Sequence, residues 1–95
     1  MRLIFSPSAV ADLERVLQFL SADDAQAAIR AGAAIEDAIG KLMDFPQRGR
    51  PSGVAGIREL IVPFGQAAYV LRYAYAPERD TLVVLRVWHG REERR

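Results

Sequence analysis

There is no cysteine in these 95 residues, and only one histidine, one tryptophan and one lysine. Without cysteine neither a disulfide framework nor a thiolate metal site can form. A single histidine, His89, leaves nothing from which to build a histidine-rich zinc site, so no metal and no cofactor is expected. Long apolar runs are missing too, and none approaches the length that crosses a bilayer. The opening MRLIFSPSAV holds one arginine and a proline at position 7, ahead of a charged segment, and does not read as a signal peptide. A cytoplasmic protein is expected.

What is present is ordinary material for folding: 51% of the residues are hydrophobic and 26% charged, which separates the chain from disordered sequences. The length allows one domain over residues 1–95 and a modest core. The net charge of +1 conceals an asymmetry. Residues 1–47 carry four basic and seven acidic side chains, whereas residues 48–95 carry nine arginines against five carboxylates. Arginine pairs with carboxylate or phosphate through a planar fork and stacks on flat groups, which suits recognition. A net charge this small gives little long-range attraction to a nucleic-acid duplex, so direct nucleic-acid binding is not expected.

The run RLIF reads as a first strand, Arg2–Phe5. Ser6 is placed to cap a helix that Pro7 opens, since proline's missing N–H costs nothing there. Val10, Leu13, Leu17 and Leu20, widened by Val16 and Phe19, give the stripe of an amphipathic helix over 7–20. SADD interrupts it, and Asp23 or Asp24 can cap a second helix in which Ala28, Gly32, Ile35, Ile39 and Leu42 recur until Phe45-Pro46. After the loop PQRGRPSGVAG the period changes to two, and Ile57–Val62, Ala67–Tyr75 and Thr81–Trp88 read as strands joined by short links. The expected fold is α+β, in the order β-α-α-β-β-β, with a helical hairpin packed on one face of a mostly antiparallel sheet.

Strict alternation then assigns faces. Tyr69, Leu71 and Tyr73 with Val83, Leu85 and Val87 are expected beneath the helices. The opposite face is expected to be open and to carry Arg58, Arg72, Arg86 and Trp88 among Leu60, Val62, Val70, Leu82 and Val84. His89 and Arg91 would lie just past its edge, and Arg91 to Arg95 would form a mobile charged tail. Apolar residues mixed with arginine and tryptophan point to a surface that a partner covers. The plainer alternative is that the C-terminal segment folds back over this face, or that the arginines pair with Glu59, Glu78 or Glu92.

Taken in order, SPSAVADLERVLQFL, AIEDAIGKLMDFPQRGRP, GIRELIVPFGQAAYVLRYAY and LVVLRVWHGRE resemble the toxin subunits of RelE/ParE-type toxin–antitoxin modules, from Phe5 to Glu92. The resemblance implies a small bacterial protein of the kind encoded in plasmid stabilization modules. It implies a cognate antitoxin whose C-terminal segment wraps and neutralises the toxin. The superfamily divides by target: the RelE-like branch cleaves mRNA on the ribosome, and the ParE-like branch inhibits DNA gyrase without being a nuclease. A nuclease of this kind would draw on Arg58, Arg86, His89 and Arg91. However, no tyrosine follows Tyr75, the sole lysine is Lys41 on the second helix, and the loop before Arg58 has neither glutamate nor lysine. Arginine stays protonated and is a poor base. LRVWHGRE and FPQRGRP also resemble the ParE-like branch. That implies a gyrase inhibitor with no catalytic residues, in which Arg58, Arg72, Arg86, Trp88, His89 and Arg91 contact target or antitoxin. A ribosome-dependent mRNA endonuclease and a non-toxic paralogue that only binds antitoxin remain the alternatives.

Overall fold

The computed structural model describes residues 1–92. Part of the expected charged tail, Glu93, Arg94 and Arg95, lies outside the described residues. Strand β1 (Arg2–Phe5) leads into helix α1 (Pro7–Asp23), followed by α2 (Ala25–Asp44), β2 (Arg50–Pro51), β3 (Ile57–Phe64), β4 (Ala67–Ala76), a 3-10 turn at Pro77–Arg79, and β5 (Thr81–His89). The five strands form one sheet in the order β1-β5-β4-β3-β2, in which β1 runs parallel to β5 and every other pair is antiparallel. The α+β expectation is met, with one addition. The two-residue β2, opposite Arg58 and Glu59, is too short to leave a periodic signature.

Local chemistry explains the joints. The Ser6 hydroxyl accepts the Ala9 N–H at 3.0 Å and donates to the Leu85 carbonyl at 2.8 Å, so it starts α1 and fastens that start to β5. Asp24 serves both helices: its own N–H closes the last turn of α1 on Leu20, and its carboxylate accepts the Gln26 N–H at the start of α2. A one-residue joint forces the hairpin tight, and Gly32 lies against Leu17 where the helices meet. Both helices cover one face of the sheet. Ala9, Val16, Ile35, Ile39 and Leu42 pack there against Tyr69, Leu71, Tyr73, Leu82, Val84 and Val87.

Three face assignments differ from those expected. In β5, Leu82 and Val84 are fully buried in the core and Val87 joins them, because the ladder slips: Arg72 faces Arg86 while Tyr73 faces Val84. Leu85 is the extra residue of this bulge, and it flips the strand so that Arg86 and Trp88 leave the helix side. In β3, Leu60 and Val62 face Leu71 and Tyr69 and therefore belong to the helix side, not the open one. Arg58 faces Tyr73 and is on the helix side as well, whereas Glu59 faces Arg72 on the opposite face. Of the apolar residues expected on the open face, only Val70 stays there, opposite Ile61 and Trp88.

Candidate functional site

The expected open face carries its own cover. The Arg72 guanidinium lies 5.1 Å above the Trp88 ring and donates to the Glu59 carboxylate at 2.7 and 3.1 Å. Arg50 approaches the same carboxylate at 3.5 Å. Glu59 and Trp88 are 4% and 7% exposed although no helix lies over them. The Arg72 stem and guanidinium contribute to that burial, and here the plainer expectation of pairing with Glu59 holds.

Arg86 is tied as well, at the sheet's margin. Past Phe5 the strand β1 ends, and the outer edge of β5 is met by Asp12 of α1. The Asp12 carboxylate accepts the Val87 N–H at 2.9 Å, replacing the missing strand. It also accepts Arg86 Nε at 2.7 Å and Nη2 at 3.2 Å, with Arg15 at 3.4 Å. Burial pushes the Asp12 carboxyl up, but the hydrogen bonds from Arg86 and Val87 and the nearby arginine charges outweigh it and hold it below its ordinary value. Asp12 correspondingly raises Arg86. Arg15 then pairs with Glu92, whose other oxygen accepts the His89 N–H at 3.0 Å. Two arginines and two carboxylates therefore link α1, β5 and the turn after it.

Arg58 occupies a different place. Its guanidinium donates to the Gly49 carbonyl at 2.7 Å and to Gln47 Oε1 at 3.0 Å, which anchors the FPQRGRP loop. Tyr73 pins the same loop: its hydroxyl donates to the Pro46 carbonyl at 2.7 Å and accepts the Gly49 N–H at 2.8 Å. Burial raises the phenol, and the Gly49 hydrogen bond and the Arg58 charge only partly offset it. A depression of about 520 Å³ lined by Gln47, Val54, Ile57, Arg58 and Tyr75 opens beside this loop.

At the other end of the sheet a groove of about 860 Å³ runs between α1 and the β3–β4 turn. Val16, Phe19 and Leu20 form one wall and Phe64, Tyr69 and His89 the other, with Arg15, Arg91 and Glu92 at the rim. Phe19 is 79% exposed, the most exposed large hydrophobic side chain among the described residues. The His89 ring stands edge-on to Tyr69, with centroids 5.5 Å apart. Burial raises the Tyr69 phenol, and the Glu92 charge adds to it. His89 Nδ1 accepts the Arg91 N–H at 3.1 Å.

The structure thus brings His89 and Arg91 together, puts Arg86 on the Asp12 network, and sends Arg58 to the far end. His89 faces Tyr69 and Arg58 faces Tyr73, four residues along β4 or roughly 13 Å, with β4 lying between their two strands. Among the described residues no three metal-ligating side chains gather.

Residues 3–94 match the family described as ParE toxin of the type II toxin–antitoxin system parDE. The chain belongs to the ParE toxin family. This ParE-family chain is 39% identical over 92 residues to Toxin RelE1 of Caulobacter vibrioides, spanning 97% of this chain and 96% of that one. It is 27% identical over 84 residues to the putative toxin Y4kP of Sinorhizobium fredii, spanning 88% and 85%. Among solved structures, a chain of the chromosomal ParDE TA system from P. aeruginosa superposes with TM-score 0.74 at 21% identity, over 94% of this chain and 95% of that one. A chain of the intact E. coli RelBE toxin–antitoxin complex does so with TM-score 0.67 at 16% identity, over 98% of each. Both share the fold. The ParE-family chain is accordingly a toxin of a type II toxin–antitoxin system. No helix among its described residues is long and apolar enough to cross a membrane.

Several residues of this ParE-family site carried no functional expectation: Asp12, Arg15, Phe19, Phe64 and Glu92. Asp12 could have been found, because it interrupts the apolar face between Ala9, Leu13 and Val16, and a carboxylate there requires a cationic partner. Phe19 and Phe64 gave no such sign, since large apolar residues near an amphipathic stripe are usually core.

Proposed function

We propose that this toxin acts on DNA gyrase by binding, without catalysis, and that a cognate antitoxin neutralises it. The observation that carries this reading is the separation of Arg58 from His89 and Arg91. Phosphate cleavage needs a base, an acid and charge stabilisation around one phosphorus. Arg58 is distant and Arg86 is held by Asp12, which leaves Arg91 beside a His89 whose Nδ1 lone pair is held on the Arg91 N–H. A groove with exposed apolar and cationic side chains is instead the equipment of a binding protein. The solved ParDE and RelBE assemblies are toxin–antitoxin systems, and the same type of partner is assigned here, in the cytoplasm.

The ribosome-dependent mRNA endonuclease is kept as the second reading because His89 and Arg91 are adjacent in the groove. Purified toxin added to gyrase and relaxed plasmid should block supercoiling. Cut mRNA in a translation extract, abolished by His89→Ala or Arg91→Ala, would support the second reading. Normal growth on induction without antitoxin would leave only an antitoxin-binding scaffold.

A further inference from the structure

Arg58 carries a charge that the chain does not balance. Among the described residues only Arg58 and Arg72 are arginines withdrawn from solvent, both half-buried. Arg72 has the Glu59 carboxylate, whereas Arg58 meets only neutral acceptors, the Gly49 carbonyl and Gln47 Oε1. Those two bonds fix the planar head without neutralising it. Its remaining N–H donors take no partner among the described residues. A half-buried cation held in this way calls for a counter-ion from outside.

The surroundings offer further donors and no competing charge. Ser52 closes the turn before β3: its hydroxyl accepts the Val54 N–H at 3.1 Å and its N–H donates to the Ile57 carbonyl at 3.1 Å. Gly53 and Gly56 sit in this turn at φ +96° and +78°, where a side chain would be strained. The N–H groups of Gly53, Ala55 and Gly56 have no partner among the described residues, and all three residues line the depression beside Arg58. The Tyr75 hydroxyl is likewise unengaged there. Among the described residues no aspartate or glutamate lines the depression, and its volume of about 520 Å³ suits a small molecule.

We infer that this depression binds a small carboxylate with a flat apolar body. The head takes the unengaged donors of Arg58 and of the glycine turn, and the body lies against Val54, Ile57 and Tyr75. A carboxylate is planar, matches the guanidinium fork and brings one negative charge to the one cation on the described walls. A phosphate dianion would bring a second charge that nothing there balances. His89 and Arg91 line the groove at the other end of the sheet, so the site is separate from that groove, whichever target the toxin has.

The test is a titration of the full-length toxin with phenylacetate, followed by backbone amide NMR shifts. The Gly53, Ala55 and Gly56 amides should move and saturate with a dissociation constant of about 1 mM, while Gly90 stays still. Acetate and 2-phenylethanol, the head alone and the body alone, should each bind at least about tenfold more weakly. Because Arg58 also anchors the loop, the deciding variants are at Val54, which lines the depression and is 57% exposed. Val54→Asp puts a fixed carboxylate in the same depression as Arg58 and should weaken binding about tenfold or more. Val54→Asn should change it by less than about threefold. Turn amides that do not respond to phenylacetate, or a Val54→Asp toxin that titrates like wild type, overturn the site. Equal affinity for 2-phenylethanol and phenylacetate, or tighter binding of phenyl phosphate, overturns the carboxylate head.

Discussion

Replacing Asp12 by alanine tests the network on which the groove's α1 wall depends. Asp12 has a 7% exposed side chain and accepts the Val87 N–H at the sheet edge, where β1 has already ended and no strand pairs with it. Leaving that buried donor unpaired costs about 1–3 kcal/mol. Arg86 loses two hydrogen bonds, but its side chain is 44% exposed and returns to solvent, so its part is discounted to about 1 kcal/mol. Together Asp12→Ala should destabilise the fold by about 2–4 kcal/mol, read from urea unfolding at constant m-value. Asp12→Asn keeps one carbonyl oxygen for either Val87 or Arg86 and should cost about half as much. The acid limb gives an independent signature. Because the folded-state value of Asp12 lies below its ordinary 3.8, the carboxylate's contribution is complete above that pH and is lost as pH falls through the lower folded value. Wild-type stability should therefore drop more steeply below about pH 4 than that of Asp12→Asn. A loss smaller than about 0.5 kcal/mol for Asp12→Ala, with unchanged acid behaviour, would refute the edge-capping role.

Three other perturbations probe separate parts of the account. Gly49→Ala would put a Cβ 2.6 Å from the Tyr73 hydroxyl and 2.8 Å from the Glu59 carbonyl oxygen, and should cost about 1–3 kcal/mol by denaturation. Combined with Tyr73→Phe the two losses should be less than additive, because one of the three collisions goes with the hydroxyl while those with the Tyr73 ring at 2.7 Å and the Glu59 carbonyl remain. Arg72→Ala should uncover Trp88, the only tryptophan, and shift its fluorescence emission to longer wavelength, whereas Arg79→Ala should not move it.

Much of the fold was legible because its elements are long and periodic. Ser6-Pro7 marked the start of α1, Phe45-Pro46 the end of α2, and the period of two located β3, β4 and β5 to within two residues. Faces were harder. Through Leu82–Trp88 the residues on both sides are almost all apolar, so no polarity signal registers the bulge at Leu85, and one extra residue exchanges the faces on either side of it. Arg58 was misplaced for another reason: Arg58 and Glu59 put a charge on each face of β3, and the expectation that Glu59 would avoid the helix side chose the wrong one, since Arg58 finds a loop carbonyl and Gln47 there. The expectation of an arginine-rich partner surface missed that Arg72 lies flat on Trp88 and that Arg86 answers Asp12. Those pairings join residues 13 and 74 positions apart, and one sequence carries no record of which charges meet. Arg91 lies past the sheet edge as expected, but His89 is the last residue of β5, opposite Tyr69 on the helix side, and the groove they line depends on the packing angle of α1.

The central claim, a toxin that binds rather than cuts, is tested most directly by giving one preparation of antitoxin-free toxin two substrates in parallel. One reaction contains gyrase, ATP and relaxed plasmid, and the other translating ribosomes on a defined mRNA. The account predicts that supercoiling stops while the mRNA stays whole. Normal supercoiling together with cleaved mRNA would contradict it.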